Sequence, residues 1–236
     1  AVMILTDDNF ATIVKAVEFG RAIYVNLRNY LRFQMTSMVA FIASYLLAAI
    51  FFILGGTPFT PLVALWVKFP VQIPVALALG FDNPPPDLME HKPRPLKETI
   101  ISSSQWLRIA FLGIVRAIGT IFLEGYYQGS GEAVAASMGF VVFSLYIMAT
   151  GISARSETAS AFNRDIFHNR HQLVLYGISL LSVILALRLD FLQEALGLTR
   201  LTGEQWMICI VFTFVFLLID EVIKFFLRRR RISKSE

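Results

Sequence analysis

The chain has 236 residues, 56% of them hydrophobic, and a mean hydropathy of +0.63, well outside the range of soluble domains of this length. Its net charge is only +4 and its basic residues are clustered, which points to membrane orientation and against nucleic acid as a partner. The single cysteine, Cys209, lies in an apolar run, which excludes a disulfide framework and a cysteine metal site.

Residues 1–5 form a short apolar run suited to a buried strand, and Asp7, Asp8 or Asn9 is placed to cap the helix that follows. The opening residues read as soluble sequence without a signal peptide, so the chain is expected to be part of something larger. From residue 10 to about 33 the apolar positions Ile13, Val17, Ile23, Leu27 and Leu31 recur with helical spacing, and Lys15, Arg21, Arg28 and Arg32 give this stalk its charge. Nothing breaks the helix before the first span, 34–54, which ends at the Gly-Gly-Thr-Pro of 55–58. Ser44 and Tyr45 in this span are suited to hydrogen bonds between helices.

The second span, 60–79, carries Lys68 and Gln72 at its centre, beside Pro70 and Pro74. A lysine at that depth costs about 2.5–3.5 kcal/mol on insertion scales. Each proline lacks an N–H, so the carbonyls of Trp66 and Pro70, four residues earlier, are expected to be freed. Interrupted helices of this kind occur where the backbone lines a cavity or an ion site.

A proline-rich loop at 81–105, with Lys92, Arg94 and Lys97, leads to a third span, 106–127, that contains Arg116 and Glu124. Glu124 is expected to be solvated near a surface or paired structurally. The fourth span, 133–154, is rich in small residues that favour close helix packing. A polar loop, 155–170, precedes the fifth span, 172–189; a short polar segment leads to the sixth, 205–227; a basic tail, 228–236, follows. Asp220 and Glu221, near the end of the last span, are suited to holding loops or basic stalk residues. His91, His168 and His171 have no metal-ligand spacing and read as surface residues.

Of the 21 lysines and arginines, 17 fall in or within about one turn of the stalk, the two long loops and the tail, counting Arg108 and Lys224 at the adjoining span ends. An even number of spans then places both ends and the proline-rich loop in the cytoplasm. The expected architecture is all-α: a polytopic membrane protein with a cytoplasmic stalk helix (1–33), six transmembrane helices (34–227) and a basic cytoplasmic tail.

LTDDNFATIVKAVEFGRAIYVNLRNYLRF at 5–33 closely resembles the segment that joins the phosphorylation domain to the fifth transmembrane helix in type II P-type ATPases. LWV at 65–67, ALGFDNPPPDLM at 78–89 and KPRP at 92–95 resemble that family's sixth helix and the loop after it; LIDEVIKF at 218–225 resembles the end of its tenth. The resemblance implies a region equivalent to helices five to ten of an ATP-driven cation pump, in a bacterial plasma membrane. In the family the stalk transmits movement and the loop touches the phosphorylation domain, which makes Asp7, Asp8, Asn9, Arg21, Asp87 and Arg94 candidates for coupling. No DKTGT, TGES or GDGVND motif is present, so no catalytic residue and no cofactor site is expected in this chain. ATP and Mg2+ belong to the complete pump. The expected partners are the lipid bilayer, the phosphorylation and nucleotide domains, and helices one to four, in the same or another chain.

The calcium pumps of the family supply oxygen ligands from the fifth, sixth and eighth helices, because Ca2+ takes six to eight oxygens. Here the matching positions hold Met38 and Phe41, then Lys68, Val71 and Gln72, and a residue near Ile147. The resemblance therefore implies a transport site, around Lys68, Gln72, Pro70, Pro74, Met38 and Phe41, that has lost the usual Ca2+ ligands and binds no metal of its own. Three readings follow: a pump with Lys68 as a built-in counter-ion, a pump for a proton or an organic cation, or a catalytically silent membrane module that binds partner helices.

Overall fold

Apolar runs of about twenty residues fold as helices in a bilayer because only a helix satisfies every backbone group within one segment. A computed structural model describes residues 10–82, 88–90, 99–155 and 169–232, and among them all regular structure is helical. Six helices are long and apolar enough to cross a membrane. The expected strand at 1–5, the triple proline at 84–86 and the basic loop residues Lys92, Arg94 and Lys97 lie outside the described residues, as do His91 and His168.

Helix α1 runs unbroken from Phe10 to Phe51, so the stalk and the first span are one 42-residue rod about 63 Å long. The chain turns back through Phe52, Leu54, Gly55 and Gly56, all with positive φ. Helix α2, Pro61–Gly80, starts with Thr60 accepting from the Val63 N–H and with proline in its first turn, where no donor is needed. Helix α3 is Ser103–Tyr127, α4 is Glu132–Ala154, α5 is Arg170–Arg188, the short α6 is Asp190–Leu196 and α7 is Gly203–Ile232. Helix α7 thus continues past the expected end of its span into the basic tail. Two reciprocal caps are legible as Ser-x-x-Gln and Thr-x-x-Gln. Ser102 and Gln105 exchange bonds at the start of α3, and Thr202 and Gln205 do so at α7.

Helix α4 is the centre of the bundle: 78% of its apolar window is buried, against 17% for α7 at the periphery. Its small residues permit this. Gly139 lies against Glu124 of α3, and Gly151 lies against Val75 of α2 and Tyr176 of α5. Helix α1 packs along α3, α3 on α4, α4 on α7, and the second half of α2 on α5. Neither residue makes the expected bond between helices: Tyr45 donates to the Phe59 carbonyl in the turn before α2, and Ser44 bonds back to Ala40 within its own helix.

Polar side chains concentrate where the helices meet the stalk, and most of them serve carbonyls at helix C-termini. The last turn of any helix leaves carbonyls without amide partners, and its dipole favours cations and donors there. For α2, Gln172 donates to the Ala78 carbonyl, Asn26 to those of Gly80 and Asp82, and Asn169 to that of Phe81. For α4, Lys224 donates to the Ser153 carbonyl at 2.9 Å, Arg32 to that of Ala154 at 2.9 Å and Asn29 to that of Arg155 at 2.7 Å. Two ion pairs lock the same level. Arg155 holds Asp82 through two bonds of 2.7 and 3.0 Å, and Arg108 holds Asp220. Asp220 also accepts from the Ser153 hydroxyl and lies 3.9 Å from Lys224, so it ties helices together where a hold on loops or basic stalk residues was expected.

Asp220 is buried, so its removal takes from Arg108 and Lys224 a counter-charge held away from water. Asp220→Ala is expected to destabilise the bundle by about 3–5 kcal/mol, the usual cost of breaking a buried pair from one side. Thermal unfolding in detergent measures this; a midpoint unchanged from the parent would refute the role.

Candidate functional site

Proline at 70 and 74 does not break α2. The helix widens instead into a π-helical stretch, Val67–Gln72, between α-helical Pro61–Trp66 and Ile73–Gly80. In such a stretch the amide one residue further on serves a carbonyl that proline cannot, so the Trp66 carbonyl, at the start of the stretch, keeps a backbone partner despite Pro70. The carbonyl that takes a donor from another helix is that of Val71, which accepts from the Ser179 hydroxyl of α5 at 2.9 Å. The Trp66 indole donates to the Ser182 carbonyl at 3.3 Å, so α5 clamps the widened turn from one side.

Lys68 and Gln72 project from the π stretch toward α1. The Lys68 ammonium donates to Gln72 Oε1 at 3.1 Å and lies 4.7 Å from the centre of the Phe41 ring. Gln72 in turn donates through Nε2 to Gln34 Oε1 of α1 at 2.8 Å. The structure thus brings Lys68, Gln72 and Phe41 together; Pro70 lies inside the π stretch and Pro74 opens the α-helix after it. Met38 sits at the edge, 52% exposed. Gln34 is the member that sequence reading missed. Its spacing to Met38 and Phe41 places all three on one face of α1, a signal that its position at the end of the expected span masked.

A second polar group lies deeper. Arg116 of α3 is fully buried, donates to Ser37 at 3.2 Å and to Thr150 at 3.3 Å, and stacks 5.0 Å from the Phe143 ring centre. Its Nε and Nη2 have no hydrogen-bond partner. Lys68 and Arg116 are thus two basic side chains that α2 and α3 direct into the interior, each lying over an aromatic ring. The acid further along α3, Glu124, is eight residues away, about 12 Å along the helix. Glu124 is fully buried and neither of its oxygens has a hydrogen-bond partner, so it is neither solvated nor paired as expected.

Of the residues implied in coupling, Arg21 donates to the Leu88 carbonyl at 3.1 Å and so ties the stalk to the segment after the proline run. Asp7, Asp8, Asn9, Asp87 and Arg94 lie outside the described residues. His171 is exposed at the start of α5, with its ring beside Phe81.

The family described as "Cation transporting ATPase, C-terminus" matches residues 56–226. The chain is 29% identical over 231 residues to Calcium-transporting ATPase 1 of Yarrowia lipolytica, covering 97% of this chain and 25% of that protein. It is 32% identical over 241 residues to Calcium-transporting ATPase 1 of Bacillus cereus, covering 94% and 27% respectively. With the Calcium-transporting ATPase of Bacillus subtilis it shares 33% identity over 214 residues, covering 88% and 23%. The chain therefore spans about a quarter of the length of the curated relatives it matches. Six apolar helices, with a match that begins in the turn after α1 and ends near the close of α7, lead to one assignment: the chain belongs to the cation-transporting ATPase C-terminus family.

Proposed function

We propose that this chain is the C-terminal transmembrane part of an ATP-driven cation pump in which Lys68 serves as a built-in counter-ion in place of one transported ion. The observation that carries this reading is the seat of the Lys68 ammonium between Gln72 Oε1 and the Phe41 ring. A hydrogen bond from a charged donor contributes about 1.5–3 kcal/mol, and a desolvated cation–π contact about 2. Together these offset the roughly 2.5–3.5 kcal/mol cost of a lysine at mid-span. The ammonium is therefore held by neutral groups and needs no exchangeable ion beside it. With Arg116 nearby, the interior repels a divalent cation rather than gathering oxygens around one.

In this reading ATP and Mg2+ act on phosphorylation and nucleotide domains outside this chain, and helices one to four supply the acids that meet Lys68 during the cycle. The half-exposed Met38, with Leu62, Leu65 and Phe69 on α2, offers those helices an apolar face. Both ends of the chain and the loop after α2 face the cytoplasm, and Arg21 with Leu88 belongs to the coupling surface.

Two measurements test the proposal. On the complete, unmutated protein, ATPase activity is expected to be insensitive to micromolar Ca2+, with weak or no Ca2+ binding at α1 and α2. Lys68→Asn combined with Gln72→Asp is expected to restore part of the cation dependence, limited by the apolar Met38 and Phe41. Strong stoichiometric Ca2+ binding that requires α1 and α2 would overturn the counter-ion role, and a complete protein without ATPase activity would favour the partner-binding module. For orientation, Ser103 is exposed at the start of α3 and Ser130 in the turn that follows its other end. Single cysteines placed there in a Cys209→Ser background are expected to label from opposite sides of the membrane, Ser103→Cys from the cytoplasm. Labelling of both from one side refutes the orientation.

A further inference from the structure

Glu124 lies one turn before the end of α3, fully buried, with both carboxyl oxygens lacking a hydrogen-bond partner. Its position follows from the packing of α3 on α4. A Cβ on Gly139 would overlap Oε1 and fall 2.5 Å from Cδ and 2.6 Å from Cγ, so the carboxyl rests directly on the glycine. Only a residue without a side chain leaves that space, and the Glu124 carboxyl fills it.

Among the described residues, the groups around it supply no counter-charge. On α1 the titratable neighbour is Tyr45, whose hydroxyl is already committed as donor to the Phe59 carbonyl. The turn Ile53–Gly56, which packs on α3 through Ile53 against Gly125, carries no charged or titratable residue. On α4 the titratable residues are Glu132, exposed at the helix start, and Tyr146, whose hydroxyl faces Gly119. On α7, Cys209 bonds to the Met138 carbonyl, Glu204 is exposed, and the charged residues from Asp220 onward belong to the stalk end. On α3 itself, Arg116 is two turns away with its bonds to Ser37 and Thr150, and Tyr127 is one turn further on.

An ionised carboxylate in such a place is penalised by the loss of its hydration with nothing to compensate. A bound metal ion does not relieve it, since Ca2+ needs about six to eight oxygens and the carboxyl is flush against Gly139. A proton needs no ligand volume and removes the charge.

We propose that the Glu124 carboxyl is a proton-binding site inside the bundle, occupied at neutral pH while α3 and α4 are packed in this way. Parting α3 from α4 near the exposed Gly129 and Ser130 admits water one turn from the carboxyl. The O–H bond then breaks, its electron pair stays on the carboxylate and the proton passes to water; closure recaptures it. The site is independent of Lys68 and stands whether or not the counter-ion reading does.

The test is infrared spectroscopy of the complete protein in lipid nanodiscs at mildly alkaline pH, with glutamate carbon-13 labelled. The C=O stretch of a protonated carboxylic acid is expected, shifted by the label, and lost in the isosteric Glu124→Gln. If Glu124→Gln fails to accumulate in the membrane, Glu124→Asp gives the same answer, because the labelled band then disappears and an unlabelled one replaces it. The thermal midpoint of the parent is also expected to fall more steeply than that of Glu124→Gln between mildly acidic and alkaline pH, since the packed state holds a proton that the opened state releases. No protonated-acid band in the parent, a labelled band that persists in both variants, or equal pH slopes would each overturn the proposal.

Discussion

The constraint on which the bundle depends is the need to satisfy helix carbonyls at the level where α2 and α4 end. A helix end that stops near other helices cannot count on water for its last carbonyls. Here the donors come from neighbouring helices: Asn26, Asn29 and Arg32 from α1, Asn169 and Gln172 from the start of α5, and Lys224 from α7. Capping and cross-linking are therefore the same bonds. On α7, the least buried span, Asp220 and Lys224 add polar attachments to the apolar contact that Phe216 and Cys209 make with the core.

Further inside, the charges are treated differently. Lys68 is solvated by a glutamine and an aromatic ring; Arg116 has hydroxyls from α1 and α4 for one nitrogen and a phenyl face for its plane; Glu124 has nothing. Buried groups of this kind cost stability, and structures retain them where a site needs them. The π-helical turn belongs with them. It lets α2 pass Pro70 without a break and aims Lys68 and Gln72 at α1.

The spans were legible in the sequence because helix existence is a local property of length and hydropathy, and the two capping boxes could be read as short motifs. The pair Lys68 and Gln72 was also legible, four residues apart on one helix. What sequence spacing could not supply was the neighbour across a helix interface. Gln34 completes the Lys68 chain from a different helix, and Glu124 is buried because Gly139, fifteen residues later, has no side chain. The same limit applies to the freed carbonyls. Two prolines signal an interruption, but whether it becomes a break or a π-helical turn depends on the supporting helix, here α5 through Ser179 and Ser182.

The unbroken length of α1 has a mechanical consequence. At Asn29 and Arg32 it is bonded to the end of α4. From Arg32 the rod extends 22 residues to Phe10 and 19 to Phe51, arms of about 33 and 28 Å. A tilt about that point displaces the two ends in opposite directions by nearly equal amounts. The helix is thus a lever of almost unit gain that reverses the sense of the motion, and a push at its exposed end reaches the Phe41 face of Lys68 on the far arm, reduced by its shorter distance from the fulcrum.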